Sequence, residues 1–194
     1  KVLEGVLKTN PGHQRTLLAT AELAVRAGDE AGAEALWRRA VESDLKARQP
    51  RILLGNYLIK TNRAAEALAL TEPALAREPK SLGLLETVGQ ARLRTGDPVG
   101  ALEAFRTLAS LVPDSYPAQE LLMRALELNG RVAEALEAAE HTLSLEPKNL
   151  PARLGQVRYL AQLGRLDEAQ AKLEPLIAEF PDQVDLLLLE GRIA

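Results

Sequence analysis

The sequence repeats itself every 34 residues, and this period constrains the fold more than any other feature. Turn-forming residues recur at that interval, and an alanine follows each of them five residues later. One turn residue is asparagine, the usual substitute for glycine where a helix ends in the left-handed conformation. Prolines keep the same phase, with one leucine as an exception. The turn residues are Gly28, Asn62, Gly96, Gly130 and Gly164, the alanines are Ala33, Ala67, Ala101, Ala135 and Ala169, and the prolines are Pro11, Pro79, Pro113, Pro147 and Pro181, with Leu45 as the exception.

Each 34-residue unit is predicted to form two helices. In the third unit the first helix is expected over Leu82–Thr95 and the second over Pro98–Leu111, with a turn at Gly96 between them. Short turns make consecutive helices antiparallel neighbours, and such pairs stack into a solenoid. The repeated alanines are predicted to lie where helices cross closely, because a larger side chain would overpack the crossing.

Composition supports an all-α chain and excludes several functions. Hydrophobic residues make up 46% of the 194 residues and aromatic residues only 3%, so alanine and leucine supply the apolar surface. Such a core suits close helix packing better than a β-sandwich, which favours branched and aromatic side chains. The sequence has no cysteine, which excludes disulfides and thiolate sites. Its net charge of −3 argues against nucleic acid as a partner, and no apolar stretch is long enough to insert into a membrane.

The phase divides residues 1–194 into five full units with a partial unit at each end. Residues 1–13 are expected to end a preceding second helix, and residues 184–194 to form a first helix without its partner. Both ends interrupt the pattern, so we expect an internal part of one longer repeat array. Leu186 to Leu189 would then lack the second helix that packs on them in a full repeat. Self-association through that end is therefore expected. The full units are 14–47, 48–81, 82–115, 116–149 and 150–183.

The period and the residue types resemble those of the tetratricopeptide repeat. In the third unit seven residues follow the spacing of that family, W-x2-L-G-x2-Y…A-x3-F…P, with Leu85 in place of the large aromatic residue and Arg92 in place of the tyrosine. These residues are Leu85, Val88, Gly89, Arg92, Ala101, Phe105 and Pro113. The resemblance implies a right-handed α-solenoid of antiparallel helix pairs, whose first helices line a concave groove that binds partner peptides.

One face of the first helices carries the candidate binding residues. Two positions four residues apart share that face and together place one cation in each unit. The resemblance implies that Asn56 matches an asparagine that often holds the C-terminal carboxylate of a peptide, although the lysines of that clamp are not evident. Tyr57 and Tyr159 lie next to candidate residues and are expected to add contact area. The candidate groove residues are Asn56, Lys60, Gln90, Arg94, Arg124, Arg158 and Arg192.

A solvated surface is the alternative to a groove for acidic peptides. Arg26 follows Glu22 by four residues, Arg124 follows Glu120 by the same interval, and such pairs are ordinary on helix surfaces. The other cations have no acidic residue four positions earlier in the same helix and are therefore the stronger candidates. These are Lys60, Arg94, Arg158 and Arg192.

These features predict a non-catalytic scaffold that binds protein or peptide segments, acidic ones in particular. His13 and His141 fall in different units, and the sequence has no motif for a nucleophile, a phosphate loop or a metal site, so neither an enzyme nor a cofactor is expected. A purely architectural spacer or oligomerisation module is the alternative. RNA binding, as in pentatricopeptide repeats, fits less well because the balance of charge is acidic and base-stacking aromatic residues are lacking.

Two stretches carry a further resemblance. Residues 36–55 (LWRRAVESDLKARQPRILLG) and 114–131 (DSYPAQELLMRALELNGR) look like stretches of the long tetratricopeptide lipoproteins of bacterial PEP-CTERM/exosortase systems. Those proteins are associated with exopolysaccharide production and with the sorting of proteins to the cell surface. The resemblance implies an envelope location, periplasmic or membrane-anchored through a lipid outside this sequence, and it assigns no functional residues.

Overall fold

The computed structural model describes residues 2–181 together with residues 186 and 191. Within these residues the chain forms eleven α-helices and no β-strand. Loops of two or three residues join the two helices of a repeat, and loops of four residues lead from one repeat to the next. The helices are α1 (Val2–Thr9), α2 (Gln14–Arg26), α3 (Glu30–Ser43), α4 (Arg48–Lys60), α5 (Ala64–Arg77), α6 (Leu82–Thr95), α7 (Pro98–Leu111), α8 (Tyr116–Leu128), α9 (Val132–Leu145), α10 (Leu150–Gln162) and α11 (Leu166–Glu179).

The helices follow the sequence period. The predicted pair Leu82–Thr95 and Pro98–Leu111 is α6 and α7, with the same bounds. The first helices α2, α4, α6, α8 and α10 begin at residues 14, 48, 82, 116 and 150. The all-α prediction is therefore confirmed. The expected final helix over 184–194 lies outside the described residues except for two positions, and of its leucine run only Leu186 is described, as a buried residue.

The chain divides into two compact units, residues 1–97 and residues 98–194. In the first unit each helix from α1 to α6 packs against the next, and the first helices α4 and α6 also contact each other. In the second unit α7 to α11 pack in the same sequential way. Packing between successive elements is typical of tandem repeats, in which each repeat contacts only its neighbours.

The first helices end at residues in the left-handed conformation. Asn62 has a φ of 62°, the one positive value outside glycine among the residues described. The N–H of Arg63 then donates to the carbonyl oxygen of Leu58 at 2.7 Å, which closes a Schellman-type helix end. The prediction of left-handed turns is confirmed throughout the series, because Gly28, Gly96, Gly130 and Gly164 have φ between 68° and 83°.

The repeated alanines are all buried, as predicted. Ala33, Ala67, Ala101, Ala135 and Ala169 have no exposed surface. In the first unit Ala33 and Ala67 belong to a core cluster that also contains Trp37 and Leu58. A side chain larger than alanine at such a position forces its neighbours out of their rotamers, at a cost of about 1–3 kcal/mol.

An ion pair replaces the family's tyrosine in the third repeat. The guanidinium of Arg92 donates to a carboxylate oxygen of Glu72 in α5 at 2.9 Å and lies 3.8 Å from Asp97. Leu85, at the position of the large aromatic residue, is 3% exposed and packs in the core. The helix pair is therefore held by apolar packing at one position and by charge at the other.

Candidate peptide-binding surface

On α4 the predicted groove residues Asn56 and Lys60 lie four residues apart on one face, and Ile52, four residues before Asn56, lies on the same stripe. Ile52 lies over Gly83 of α6: a Cβ atom on Gly83 would be 2.8 Å from the Cδ1 atom of Ile52. Glycine therefore allows the two first helices to approach closely. The N-terminal ends of these helices and the α5–α6 loop surround an open depression of about 710 Å³. Its lining residues are Arg48, Gln49, Ile52, Glu78, Pro79, Lys80, Ser81, Leu82 and Gly83.

Asn56 joins α4 to α6 through a buried threonine. The hydroxyl oxygen of Thr87 lies 2.9 Å from the side-chain amide of Asn56 and 2.7 Å from the carbonyl oxygen of Gly83. The hydroxyl donates its one hydrogen to two acceptors, the Oδ1 atom of Asn56 and the carbonyl oxygen of Gly83. The side-chain N–H groups of Asn56 form no hydrogen bond with a described residue and stay available on the exposed side.

Lys60 has a carboxylate neighbour that the pattern within one helix does not reveal. Its Nζ atom lies 3.6 Å from a carboxylate oxygen of Glu30 at the start of α3, and both side chains are more than half exposed. Such a pair contributes little to stability because solvent screens it. Arg94, by contrast, is exposed and forms no ion pair with a described residue. Two pairs on the first helices each join residues of the same helix. In α6 Gln90 contacts Glu86 at 3.1 Å, and in α2 Arg26 contacts Glu22 at 2.6 Å, as predicted.

In the second unit Glu127 holds two groups of the following first helix. Its carboxylate accepts a hydrogen bond from the Tyr159 hydroxyl at 2.9 Å and forms an ion pair with Arg158 at 3.0 Å. Burial of the phenol and its hydrogen bond to Glu127 raise the pKa of Tyr159. Arg158 is therefore less available to a ligand than its sequence suggests.

The two tyrosines add less contact area than expected. Tyr159 has no exposed surface, so the prediction that it contacts a partner is wrong. Its ring fills the space beside Gly155, where a Cβ atom would lie 3.1 Å from the ring and 3.3 Å from the sulfur of Met123. Tyr57 is half-buried and packs on Trp37, with ring centroids 5.5 Å apart.

Among the candidate groove residues, Arg124 is also exposed and forms no ion pair with a described residue. The pair expected between Glu120 and Arg124 is not formed. Glu120 instead accepts a hydrogen bond from the side-chain amide of Asn149 at 3.3 Å, at the start of the next first helix. Arg192 lies outside the described residues. The candidates that stay unpaired within the described part of the chain are therefore Arg94 and Arg124.

A cluster of two arginines and two glutamates lies elsewhere in the first unit. Arg63 donates to the carboxylates of Glu34 at 2.9 Å and Glu66 at 2.7 Å, and Arg38 binds the same two acids. The hydrogen bonds from Arg63 have the largest effect, and together with those from Arg38 they lower the pKa of both carboxyl groups. The pKa of Glu66 falls to about 2. The sequence signal that would have found this cluster is Arg-x-x-Glu after the turn. It recurs as Arg131 with Glu134 and as Arg165 with Glu168.

The described residues include no group of three or more side chains suited to a metal ion. No helix in the same part of the chain has the length and apolar character needed to cross a membrane. His13 precedes α2 and its Nδ1 atom lies 2.7 Å from the hydroxyl of Thr16, while His141 is exposed on α9.

Comparison with models of known protein families identifies the family of this chain. One tetratricopeptide repeat model matches residues 52–115 and 87–149, which together exceed half of the chain, and a second matches residues 126–193. The chain belongs to the tetratricopeptide repeat family. The fold of this tetratricopeptide repeat protein supports a scaffold for protein–protein interaction. A search of curated proteins found no match.

Solved structures of other proteins have the same fold. YrrB, described as a protein with an unusual peptide-binding site, is 19% identical with a TM-score of 0.85, and the alignment covers 98% of each chain. PilF of Pseudomonas aeruginosa is 18% identical with a TM-score of 0.81, over 97% of this chain and 86% of its own. PilW, a type IV pilus biogenesis factor, is 22% identical with a TM-score of 0.79, over 96% and 87%. These similarities confirm the α-solenoid.

Proposed function

We propose that this protein is a non-catalytic scaffold that binds acidic protein segments on the exposed face of its first helices. The observation that carries the proposal is the state of Arg94 and Arg124. Both are exposed on that face, and neither has a carboxylate partner among the described residues. An unpaired guanidinium offers five N–H donors in a planar fork that suits a carboxylate. Lys60 and Arg158, which have carboxylate neighbours, are weaker contributors.

The depression beside Ile52 adds an apolar subsite to the face in the first unit. It lies at the N-terminal end of α6, and Arg94 lies on the same side of that helix near its C-terminal end. From Gly83 to Arg94 the helix rises about 16 Å, a length that about five residues of extended chain span. We therefore expect a bound segment to carry an apolar residue about five positions from an acidic one. The free side of the Asn56 amide lies on the same face, where it suits the backbone of such a segment.

A displayed library of random peptides tests the proposal because it assumes no particular partner. Selection on this chain is expected to enrich peptides with the apolar–acidic spacing given above. Arg94→Glu and Arg124→Glu should each weaken the peptides that depend on that arginine by about tenfold or more, since a charge-assisted hydrogen bond is replaced by repulsion. Lys172→Glu reverses an exposed cation on the second helix α11 and is the matched control.

Three results bear on the outcome. Affinity that falls for both groove variants and not for the control supports the groove. Affinity that is unchanged in Arg94→Glu and Arg124→Glu refutes it. If no peptide is enriched, the architectural alternative, a spacer or oligomerisation module, gains the support instead. Self-association through the C-terminal leucines stays a prediction, tested by scattering at increasing protein concentration.

A bacterial envelope setting is the second part of the proposal. Its support is the overall similarity of residues 36–55 and 114–131 to lipoproteins of PEP-CTERM/exosortase systems. Cell fractionation of the complete gene product, with mass spectrometry for an acylated cysteine, tests it. A lipid-modified product in the membrane fraction agrees with the proposal, and an unmodified product recovered in the cytosol contradicts it.

A further inference from the structure

Two repeats of this chain carry an arginine at the same place in their first helix. Arg51 is the fourth residue of α4, and Arg153 is the fourth residue of α10. In the fifth repeat Arg153 forms an ion pair at 2.7 Å with Glu179, the last residue of α11. In the second repeat the residue at that place, the last of α5, is Arg77. The ion pair of one repeat is thus replaced by two cations in the other.

Both cations of the second repeat bind the same loop. The guanidinium of Arg51 donates to the carbonyl oxygen of Ala47 at 2.5 Å, and that of Arg77 donates to Leu45 at 3.2 Å. Leu45 and Ala47 belong to the four-residue loop between α3 and α4, the loop that lacks the repeat's proline. The two side chains therefore converge from different helices on one short segment.

This pair of cations lacks a bound counter-charge. Arg51 is 7% exposed, and neither guanidinium lies within ion-pair distance of a carboxylate in the part of the chain that the structure describes. Burial and the charge of Arg77 lower the pKa of Arg51, and the nearby Asp44 acts in the opposite direction. The Asp44 side chain itself accepts the backbone N–H of Lys46 at 2.8 Å. Burying a cation without a paired anion is costly, so an anion at this point would stabilise the folded chain.

We propose that Arg51 and Arg77 bind an oxyanion in the position that the Glu179 carboxylate occupies against Arg153. Each guanidinium has five N–H donors and uses one on the loop, so donors remain for a bidentate contact. The sources of such a group are a carboxylate of an acidic partner and free inorganic phosphate. Residues 1–97 hold 15 basic and 12 acidic side chains, a balance that favours an anionic ligand.

The proposed site is independent of the groove. On α4, Arg51 precedes Asn56 by five residues and Lys60 by nine, which turns it about 140° and 180° away from them at 100° per residue. A ligand on Arg51 therefore contacts a different side of α4 from a ligand on the first-helix face. Failure of the groove proposal would leave this site untouched, and the reverse also holds.

Nuclear magnetic resonance of the arginine side-chain Nε–H groups tests the site directly. At constant ionic strength, added inorganic phosphate is expected to shift the Arg51 and Arg77 signals in a saturable way and to leave Arg153 unchanged. A parallel titration with an acetylated tetraglutamate amide separates the two sources. Tighter binding of the peptide than of phosphate identifies a partner carboxylate, and the opposite order identifies free phosphate.

Arg77→Glu rebuilds in the second repeat the arrangement of Arg153 and Glu179. It should weaken binding of both probes by about ten- to a hundredfold and raise the melting temperature in phosphate-free buffer. Arg77→Gln, which removes the charge without supplying a partner, should weaken binding without that rise. Lys148→Glu changes an exposed cation in the loop before α10 and is the control. The proposal is overturned if the Arg51 signals do not shift with either probe. It is also overturned if Arg77→Glu binds the probes as tightly as the wild type does.

Discussion

The substitution Gly55→Ala probes a close helix crossing in the first unit. A Cβ atom on Gly55 would lie 2.8 Å from the Cγ2 methyl of Thr87 and 3.0 Å from that of Thr71. Both threonines are almost fully buried. Each hydroxyl donates to a helix carbonyl at 2.7 Å, Thr87 to Gly83 and Thr71 to Ala67. Neither methyl can rotate away without breaking its hydrogen bond, so the added carbon cannot be accommodated by a simple rotamer change.

The expected magnitude follows from three opposing effects. Alanine is a better helix former than glycine by about 1 kcal/mol, which favours the variant. Overpacking costs about 1–3 kcal/mol, and a buried hydroxyl that loses its acceptor costs about 1–3 kcal/mol. The free energy of unfolding should therefore fall by about 3 kcal/mol. Gly5→Ala is the matched control, because Gly5 also lies in a helix and has no heavy atom within 4 Å of the added carbon.

Tryptophan fluorescence during urea unfolding measures this effect where it occurs. Trp37 is the single tryptophan, and its ring packs on Tyr57 of α4, two residues from Gly55. Thr87→Ser removes the obstructing methyl and keeps the hydroxyl. In the Gly55→Ala background it should therefore recover part of the lost stability, and a double-mutant cycle measures this coupling. Wild-type stability in Gly55→Ala, or no recovery with Thr87→Ser, would refute the packing argument.

Three further perturbations have defined outcomes. Tyr159→Phe removes the hydroxyl that binds Glu127 and should lower the free energy of unfolding by about 1 kcal/mol in urea titrations; an unchanged midpoint would contradict this. The pKa of Glu66 is about 2 in the folded chain against an ordinary value of 4.5, so its bond to Arg63 stabilises fully above pH 4.5 and is lost as pH falls toward 2. Arg63→Gln should flatten the acid unfolding curve over that interval, and a curve as steep as that of the wild type would count against the cluster. Asp29→Ala removes the N-cap that accepts the N–H of Gly32 at 2.8 Å and should cost about 1 kcal/mol, measured as a lower melting temperature that Asp29→Asn largely restores.

The fold could be predicted because its repeating signals act locally on the backbone. Asn62 illustrates this: a left-handed residue is needed where the first helix ends, and few residues other than glycine tolerate that conformation. Ala67 illustrates the second signal, since a helix crossing excludes large side chains wherever it occurs. Each requirement recurs once in every repeat, so errors at single positions do not hide the period.

The site was harder to predict because its charges pair across helices. Glu127 and Arg158 are 31 residues apart, nearly one repeat, and a search for partners within one helix cannot find them. Lys60 with Glu30 is a second case, at 30 residues. A search for opposite charges about one repeat apart would have detected both pairs. Glu127 and Arg158 lie on the equivalent first helices α8 and α10, whereas Glu30 and Lys60 lie on the neighbouring helices α3 and α4.

Tyr159 was misplaced for a different reason. A tyrosine beside an exposed arginine suggests a surface residue, but consecutive residues of a helix are rotated by about 100°, and this step turns the Tyr159 ring into the core. Gly155, four residues earlier, leaves the space that the ring fills. In the sequence, a small residue one helical turn before the tyrosine was the signal that its ring is buried.

Chemical-shift mapping of this chain with an enriched acidic peptide is the most direct test of the account. We expect the largest amide shifts in the first helices, around Asn56 and Arg94 in α4 and α6 or around Arg124 in α8. The second helices α3, α5, α9 and α11 should show only small changes. Shifts concentrated on those second helices would contradict the claim that the first-helix face is where this protein meets its partners.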